Sequence, residues 1–195
     1  IACLISAIVL TGCASRPINE PITQVDPKAG YRPYLLLPKR QNNHLHTLFV
    51  LSFSGGGTRA AAFSYGVLEE LRRTEIVIDG QRRRLIDEVD MITSVSGGSF
   101  TALAYALYGE QLFSEYEERF LKRDVQGALL SRTLNPYYWN RFIGGSAGRS
   151  ELAADYYDEI LFGGATFAYL IDKQGPIPIA TGTDISTGSR LAFLR

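Results

Sequence analysis

The chain has 195 residues, 46% of them hydrophobic and 21% charged, and its 20 basic residues balance its 20 acidic ones. This length and apolar content suffice for one globular domain with a hydrophobic core. The zero net charge argues against a nucleic-acid-binding protein, which would carry a basic surface, so we expect no nucleic acid among its partners.

The first twelve residues are predicted to be a signal peptide. Residues 1–10 are almost wholly apolar and too short to span a bilayer as a helix, which is typical of the apolar core of a secretory signal. They lead into Leu10-Thr11-Gly12-Cys13, which resembles the lipobox of bacterial lipoproteins. The alternatives are an ordinary signal peptide or a buried apolar segment.

The lipobox resemblance implies cleavage before Cys13 and attachment of lipid to this cysteine. More than one acyl chain is needed for stable anchoring, and a multiply acylated Cys13 would meet that need. Ala14 rather than Asp follows it, so the resemblance implies a lipid-anchored protein of the bacterial cell envelope, at the outer membrane and facing the periplasm or the cell surface. Cys3 would leave with the signal, so no disulfide is expected in the mature chain.

Residues 13–46 are predicted to form a tether between the lipid and the folded domain. Five of the chain's eight prolines lie here, and such a segment cannot maintain a helix or a sheet ladder. His44 and His46 end the tether and would face the same side of a strand, as metal ligands do. No acidic or cysteine cluster accompanies them, so neither a metal nor another cofactor is expected.

The folded domain, residues 47–195, is predicted to open with a strand, a glycine-rich loop and a helix. Residues 47–53 are a continuous apolar run typical of a buried parallel strand, and residues 60–73 have the spacing of an amphipathic helix. Between them, three successive glycines leave backbone N–H groups bare to converge on an anion. That anion is either a nucleotide phosphate, although the loop lacks the lysine of a P-loop, or the oxyanion of an acyl-transfer intermediate.

A second strand, residues 89–95, is predicted to turn directly into a helix at Ser96. Two glycines follow the serine, and apolar residues then recur at helical spacing up to residue 107. A serine on such a strand-to-helix turn is a nucleophile elbow, which exposes its hydroxyl at the carboxyl edge of a sheet. The usual pattern is G-x-S-x-G, and Ser94 stands at its first glycine. Taken alone, the motif also fits a plain glycine-rich turn.

The two turns together, Ser-Gly-Gly-Gly-Thr-Arg and Ser-Val-Ser-Gly-Gly-Ser, closely resemble those of the patatin-like phospholipase family. The family pairs a glycine-rich oxyanion loop, often D-G-G-G-x-[RK]-G, with a G-x-S-x-G serine. Ser54 and Ala60 depart from the first pattern as Ser94 departs from the second, and none of these changes removes an N–H donor or the nucleophile. The resemblance covers residues 48–195.

This resemblance implies a site and a substrate class. Ser96 would be the nucleophile, and Arg59 would occupy the family's basic position and anchor the oxyanion loop. The oxyanion hole would be formed by the backbone N–H groups of Gly55, Gly56, Gly57 and Gly97. The substrate would be a phospholipid or another lipid ester.

The general base is not evident from the sequence. No histidine follows Ser96 in the chain, as an α/β-hydrolase triad would require, and this agrees with the Ser-Asp dyad that the resemblance implies. We expect the dyad Asp beyond Arg195, with Asp184 as the in-chain alternative, although a turn role suits Asp184 better. Asp79 lies in an Asp-Gly turn, but it precedes the serine, whereas the family's Asp follows it.

The rest of the chain continues the alternation of helices and strands. The predicted elements are helices at 110–123 and 149–162, a strand at 177–183, a turn at 184–188 and a final strand from 189. In the first of these helices, Leu112, Tyr116 and Phe120 face inward. Residues 135–142 hold four aromatics, for which core packing is favoured over an acyl pocket or contact with lipid. The alternation predicts a three-layer α/β/α sandwich with a mainly parallel central sheet and a ligand site at the carboxyl ends of its strands.

The predicted function is that of a lipid acyl hydrolase, a carboxylic ester hydrolase of the phospholipase A or lysophospholipase type. Two alternatives stay open. One is a catalytically inactive, membrane-tethered binding domain, and the other is a phosphate- or nucleotide-binding α/β domain that uses the glycine loop as a cradle.

Overall fold

The computed structural model describes residues 23–24, 47–139, 148–170, 173 and 175–194. The predicted signal peptide, Cys13, nearly all of the tether and the pair His44 and His46 lie outside the described residues. The described chain divides into two compact units. The described parts of residues 28–123 and 161–195 form the sheet unit, and those of residues 1–27 and 124–160 form the helical unit.

The sheet unit alternates strands and helices, as the sequence predicts. In chain order its main elements are β1 (Phe49–Phe53), α1 (Gly57–Arg73), β2 (Glu75–Ile78), β3 (Gln81–Arg84), β4 (Val89–Val95), α2 (Gly97–Tyr108), α3 (Leu112–Tyr116), β5 (Ile177–Thr183) and β6 (Arg190–Phe193). The three long predicted strands are therefore confirmed. Helix α1 begins three residues earlier than the periodicity predicts, because the last residue of the glycine loop already has its place in the first turn.

A mixed sheet with the strand order β1-β4-β5-β6 forms the centre of this unit. Its first three strands are parallel, and β6 runs antiparallel to β5. Phe53 pairs with Ser94, and Val95 pairs with Thr181, so the carboxyl ends of β1, β4 and β5 meet at one edge of the sheet. The predicted α/β class with a mainly parallel sheet flanked by helices is confirmed.

Helices α1 and α2 pack against each other, and α2 also packs against β4 and β5. The buried face of α1 is formed by Ala61, Ser64, Tyr65 and Leu68. Beyond α2, Leu112, Tyr116 and Phe120 are buried as predicted, and the Tyr116 ring lies 5.6 Å from that of Tyr65 and 5.4 Å from that of Phe120. Burial of these large rings contributes much of the apolar surface that stabilises the unit.

Strands β2 and β3 form a separate antiparallel hairpin. Asp79 and Gly80 make its turn, with φ values of 50° and 76°, which confirms the Asp-Gly turn signal. The arginines that follow are held by carboxylates within the unit. Arg83 pairs with the buried Glu88 at 3.1 Å, and Arg84 pairs with Asp87 at 2.8 Å.

The helical unit contains α4 (Val125–Leu134) and α5 (Arg149–Tyr157). The 3-10 turn Pro136–Tyr138 follows α4. Helix α5 was predicted, whereas α4 was not. Core packing of the aromatics in residues 135–142 is wrong for Tyr137 and Trp139, which are exposed. The reason is local: helix α4 ends before Pro136, and the tight turn that follows directs these two rings outward. Residues 140–142 lie outside the described residues.

Within the part of the chain that the structure describes, no helix combines the length and the apolar character needed to cross a membrane.

Candidate active site

Ser96 occupies a strained backbone position at the junction of β4 and α2. Its φ is 50° and its ψ is −120°, and Asp79 is the other described non-glycine residue with a positive φ. Such a conformation costs about 1–3 kcal/mol and persists only where the surroundings enforce it. The side chain is exposed at the carboxyl edge of the sheet, which is the geometry that the elbow motif predicts.

The end of β4, which leads into Ser96, is hydrogen-bonded to the neighbouring strand β5 through side chains. The Thr181 hydroxyl donates to the Ser94 carbonyl oxygen at 2.9 Å, and the Ser94 hydroxyl donates to the Ile179 carbonyl oxygen at 3.2 Å. On the other side of the turn, the backbone N–H of Ser99 donates to the Ser96 carbonyl oxygen at 2.9 Å. These bonds tie the end of β4 to β5 and close the first turn of α2, so the backbone is hydrogen-bonded on both sides of Ser96.

The glycine-rich loop lies directly against the elbow. A Cβ placed on Gly55 would stand 3.2 Å from the Ser96 Cβ. A Cβ on Gly97 would stand 2.1 Å from the Gly57 carbonyl oxygen, and one on Gly98 would stand 2.7 Å from the Phe53 Cβ. The two loops can therefore contact each other only because the residues after the serine, Gly97 and Gly98, have no side chain.

The loop residues also need backbone conformations that only glycine adopts readily. Gly56 has a φ of 137° and Gly57 a φ of 65°. Gly56 is the N-cap residue of α1, and Ser96 is that of α2. Two helix N-termini thus converge beside the Ser96 hydroxyl.

The electrostatics of this edge favour a negative charge. Neither α1 nor α2 has a side-chain cap or an acidic residue in its first turn, so no carboxylate there offsets the positive end of the helix dipole. Backbone N–H groups at such positions stabilise anions, including the oxyanion of a tetrahedral acyl-transfer intermediate.

A buried hydrogen-bonded group below the elbow joins three helices, and sequence reasoning missed it. The Thr101 hydroxyl donates to the Ala61 carbonyl oxygen at 2.9 Å and lies 2.8 Å from the Tyr116 hydroxyl. Since Thr101 has one proton and gives it to Ala61, Tyr116 donates to Thr101. Burial raises the pKa of Tyr116 well above its usual value. No sequence pattern signals this contact, because its partners come from α1, α2 and α3.

Asp184 and Asp79, the two aspartates that the sequence offers as partners of the serine, lie in two different turns. Asp184 follows β5 directly, and its Oδ1 accepts hydrogen bonds from the backbone N–H and the hydroxyl of Ser186, at 2.9 Å and 2.6 Å. This is the turn role that the sequence favours for it. Asp79 lies in the β2–β3 hairpin turn, which follows the C-terminal end of α1. This helix has 17 residues and is roughly 25 Å long, so its C-terminal end is far from the glycine loop at its N-terminus. In the described part of the chain, no carboxylate is hydrogen-bonded to the Ser96 hydroxyl, so the dyad stays a prediction.

Arg59 lies on the first turn of α1 with its side chain exposed. No side-chain hydrogen bond or ion pair joins it to another residue that the structure describes, and its role as an anchor of the loop stays a prediction. The described residues also include no group of three or more His, Cys, Asp or Glu side chains placed to hold a metal ion.

The geometry thus combines a strained, exposed serine with a glycine loop in contact with it, and each of these two turns leads into a helix N-terminus. Such an arrangement is chemically suited to an acyl-transfer nucleophile beside an oxyanion hole. A family model described as patatin-like phospholipase matches residues 51–171, which span both loops. The chain belongs to the patatin-like phospholipase family.

Among solved structures, the chain is similar to a human GIVD cytosolic phospholipase A2 in complex with methyl gamma-linolenyl fluorophosphonate inhibitor and terbium chloride. The sequences are 21% identical and the TM-score is 0.47. The similarity covers 76% of this chain and 23% of that one, so the present chain spans about a quarter of the length of that protein. No match was found among curated proteins.

Proposed function

We propose that the protein hydrolyses carboxylic esters of lipids, as a phospholipase A or lysophospholipase, with Ser96 as the nucleophile. The observation that carries the proposal is the contact between the elbow and the glycine loop, in which Gly55 stands against Ser96 while Gly97 stands against Gly57. Membership of the patatin-like phospholipase family supports the lipid ester as the substrate class.

In the proposed reaction, the Ser96 hydroxyl attacks the ester carbonyl carbon and loses its proton to a carboxylate. The negative charge that develops on the carbonyl oxygen is stabilised by the backbone N–H groups of Gly55, Gly56, Gly57 and Gly97. The intermediate expels the alcohol part of the lipid, which takes up the proton. Water, deprotonated by the same carboxylate, then releases the fatty acid from the acyl-enzyme and restores the serine.

The carboxylate of this mechanism is part of the proposal. A Ser-Asp dyad follows from the family resemblance, which implies that its Asp follows Ser96 in the sequence. Asp184 is the in-chain alternative, because it follows the strand that pairs with the elbow strand and so lies at the same sheet edge.

A fluorophosphonate probe, which reacts only with activated serines, tests the nucleophile. The full-length wild-type protein should be labelled and should release fatty acid from phospholipid vesicles, and Ser96→Ala should abolish both. The matched control is Ser99→Ala, which removes a buried hydroxyl three residues further along the same motif and should leave labelling intact. Absence of labelling in folded wild-type protein would contradict the proposal and favour an inactive binding domain. Measurable nucleotide affinity would favour the phosphate cradle.

We further propose that the protein is attached to the bacterial outer membrane by lipid on Cys13. The support is the lipobox-like sequence before that residue. Metabolic labelling with an alkyne fatty acid should tag the wild-type chain and should not tag Cys13→Ser. Equal labelling of the two would refute the anchor and would leave the esterase proposal untouched.

A further inference from the structure

Four large apolar side chains are exposed together in the helical unit. Leu130 and Leu134 on α4 have exposed fractions of 59% and 65%, and Tyr137 and Trp139 just after the helix have exposed fractions of 78% and 49%. We call these four residues the apolar patch. Exposed apolar residues scattered singly are normal, whereas contiguous exposed apolar surface marks interaction sites, and these four residues lie within ten positions of one another in the sequence.

The patch lies on the outer face of α4. Val125 is buried, and Arg132 is directed to the same inner side, where its guanidinium lies 4.6 Å from the centroid of the Tyr156 ring on α5. Leu130 and Leu134 are one helical turn apart and lie on the opposite side. A surface helix normally has polar residues there, so α4 is apolar on the face that does not pack.

Local hydrogen bonds fix the shape of the patch. The Asn135 side-chain oxygen accepts from the backbone N–H of Tyr137 at 2.9 Å, and the indole N–H of Trp139 donates to the Thr133 carbonyl oxygen at 3.2 Å. The Arg132 guanidinium pairs with Glu159 at 2.5 Å, which ties α4 to the segment after α5. The backbone of the turn that carries Tyr137 and the indole ring of Trp139 are therefore fixed before binding, which lowers the entropy lost on binding.

The charge of the segment fits a phospholipid surface. Residues 125–139 contain no Asp or Glu, and their one charged side chain, Arg132, is neutralised by Glu159. No carboxylate in this segment would be repelled by lipid phosphates. Trp and Tyr have an apolar ring and a polar atom, and such side chains are enriched where a bilayer meets water.

We propose that the apolar patch docks the protein on the surface of a phospholipid bilayer, with the Leu side chains in the acyl region and the Tyr and Trp rings at the headgroups. The proposal rests on the proposed function, because the lipid ester substrate resides in bilayers, and it adds the element that meets them. A second copy of the chain is the competing occupant, but stable dimers bury about 20–30 residues a side, far more than this patch offers.

Trp139 makes the proposal directly measurable, since it is the only tryptophan in the 195 residues. The chain is prepared with Cys13→Ser and Ser96→Ala, so that neither a lipid anchor nor hydrolysis contributes. On addition of vesicles of phosphatidylethanolamine and phosphatidylglycerol, Trp139 emission should shift to shorter wavelength and should be quenched by lipids brominated in the acyl chain. Trp139→Phe in the same background should remove this signal.

A paired variant tests the leucines. The double substitution Leu130→Ser and Leu134→Ser should weaken vesicle binding about tenfold or more, because two apolar side chains no longer leave water. The matched control is Val77→Ser on the β2–β3 hairpin, which removes a side chain with a similar exposed fraction of 67% and should leave binding unchanged. Unaltered Trp139 emission, or equal binding by the leucine variant and its parent, would overturn the proposal.

The failure of docking is distinguishable from the failure of the proposed function. With Ser96 intact, the leucine variant should hydrolyse a short-chain water-soluble ester at the parent's rate while losing activity on vesicles. A parent that binds vesicles but hydrolyses neither substrate would refute the esterase and keep the docking surface. If light scattering shows that the parent is dimeric without lipid and that the leucine variant is monomeric, the patch is a self-association surface and bilayer docking is refuted.

Discussion

Gly97 and Gly57 stand so close that a Cβ on Gly97 would lie 2.1 Å from the Gly57 carbonyl oxygen and 2.8 Å from its carbonyl carbon. Both obstructing atoms belong to backbone, so no side-chain rotation could relieve the clash. The contact sets the distance between the loop that follows β1 and the turn that follows β4, and therefore the distance between the proposed oxyanion donors and Ser96.

Gly97→Ala should consequently disable the site more than the fold. The added methyl would push the glycine loop away from Ser96, and a displacement of about 1 Å in a reacting geometry lowers rates on the order of a hundredfold. We expect fluorophosphonate labelling about a hundredfold slower than in wild type, measured as the rate of probe incorporation, together with a loss of stability of about 1–3 kcal/mol from overpacking.

Gly66→Ala is the matched control for this prediction. Gly66 lies inside α1 at an ordinary helical φ, and a Cβ there would meet nothing within 4 Å. Alanine should raise the free energy of unfolding by about 0.5–1 kcal/mol, because glycine loses more backbone entropy on folding. Equal labelling rates for Gly97→Ala and Gly66→Ala would show that loop spacing does not control the serine.

Thr181 is expected to act on the elbow through Ser94. Thr181→Val keeps the shape of the side chain and removes the hydrogen bond to the Ser94 carbonyl oxygen, two residues before Ser96. We expect kcat to fall several-fold while KM is unchanged, since the variant disturbs the position of the nucleophile and not the binding surface. Thr183→Val, at the exposed end of the same strand, should leave both constants unaltered. A change confined to stability would show that Thr181 serves only the sheet.

In a double-mutant cycle of Thr101 and Tyr116, the effect of Tyr116→Phe on stability should change sign: it should destabilise the wild type and stabilise the Thr101→Val variant. Tyr116→Phe leaves Thr101 bonded to Ala61 and should lower the free energy of unfolding by about 1 kcal/mol. Thr101→Val removes both bonds and leaves the buried Tyr116 hydroxyl without its acceptor, so about 2 kcal/mol or more should be lost. Combining the two replaces both polar groups by apolar ones, and the double variant should be more stable than Thr101→Val alone. Chemical denaturation of the four chains measures this, and simple additivity would contradict it.

The parts of the site that the sequence predicts are those encoded within one turn. An apolar run, a glycine cluster and a helical spacing are local patterns, and they place Gly55, Gly56 and Gly57 beside one strand end and Ser96 beside another. Since parallel strands present their carboxyl ends at one sheet edge, the meeting of the two turns follows from the fold class. The strain at Ser96 is likewise what the elbow motif implies.

The parts that the sequence does not predict depend on distant partners or on exposure. The bond from Thr181 to Ser94 joins residues 87 positions apart, and nothing in either neighbourhood signals it. The Thr101 hydroxyl similarly depends on helices on both sides of α2 in the sequence. The sequence predicts Tyr137 and Trp139 in the core because aromatic rings are usually buried. That rule depends on residue type alone and takes no account of the turn at Pro136, which directs both rings to solvent.

The Tyr65 hydroxyl should make the fold sensitive to alkaline pH. It lies 3.3 Å from the Glu69 side chain and 3.4 Å from the Phe113 carbonyl oxygen, the two acceptors for its single proton. Burial, followed by the charge of Glu69, raises the pKa of Tyr65 to about 12. An unfolded tyrosine has a pKa of about 10. Between these values the folded chain keeps a proton that the unfolded chain has released, so stability falls as pH rises. The contribution is complete below pH 10 and is lost as pH approaches 12.

Tyr65→Phe should therefore flatten the decline of stability between about pH 10 and pH 12, measured as the urea midpoint at successive pH values. Some decline should persist, because burial also raises the pKa of Tyr116 and the same sign applies to it. The matched control is Tyr137→Phe, which alters an exposed ring and should leave the pH profile as in wild type. If Tyr65→Phe and the wild type lose stability in parallel over this range, the folded environment of Tyr65 does not favour its protonated form.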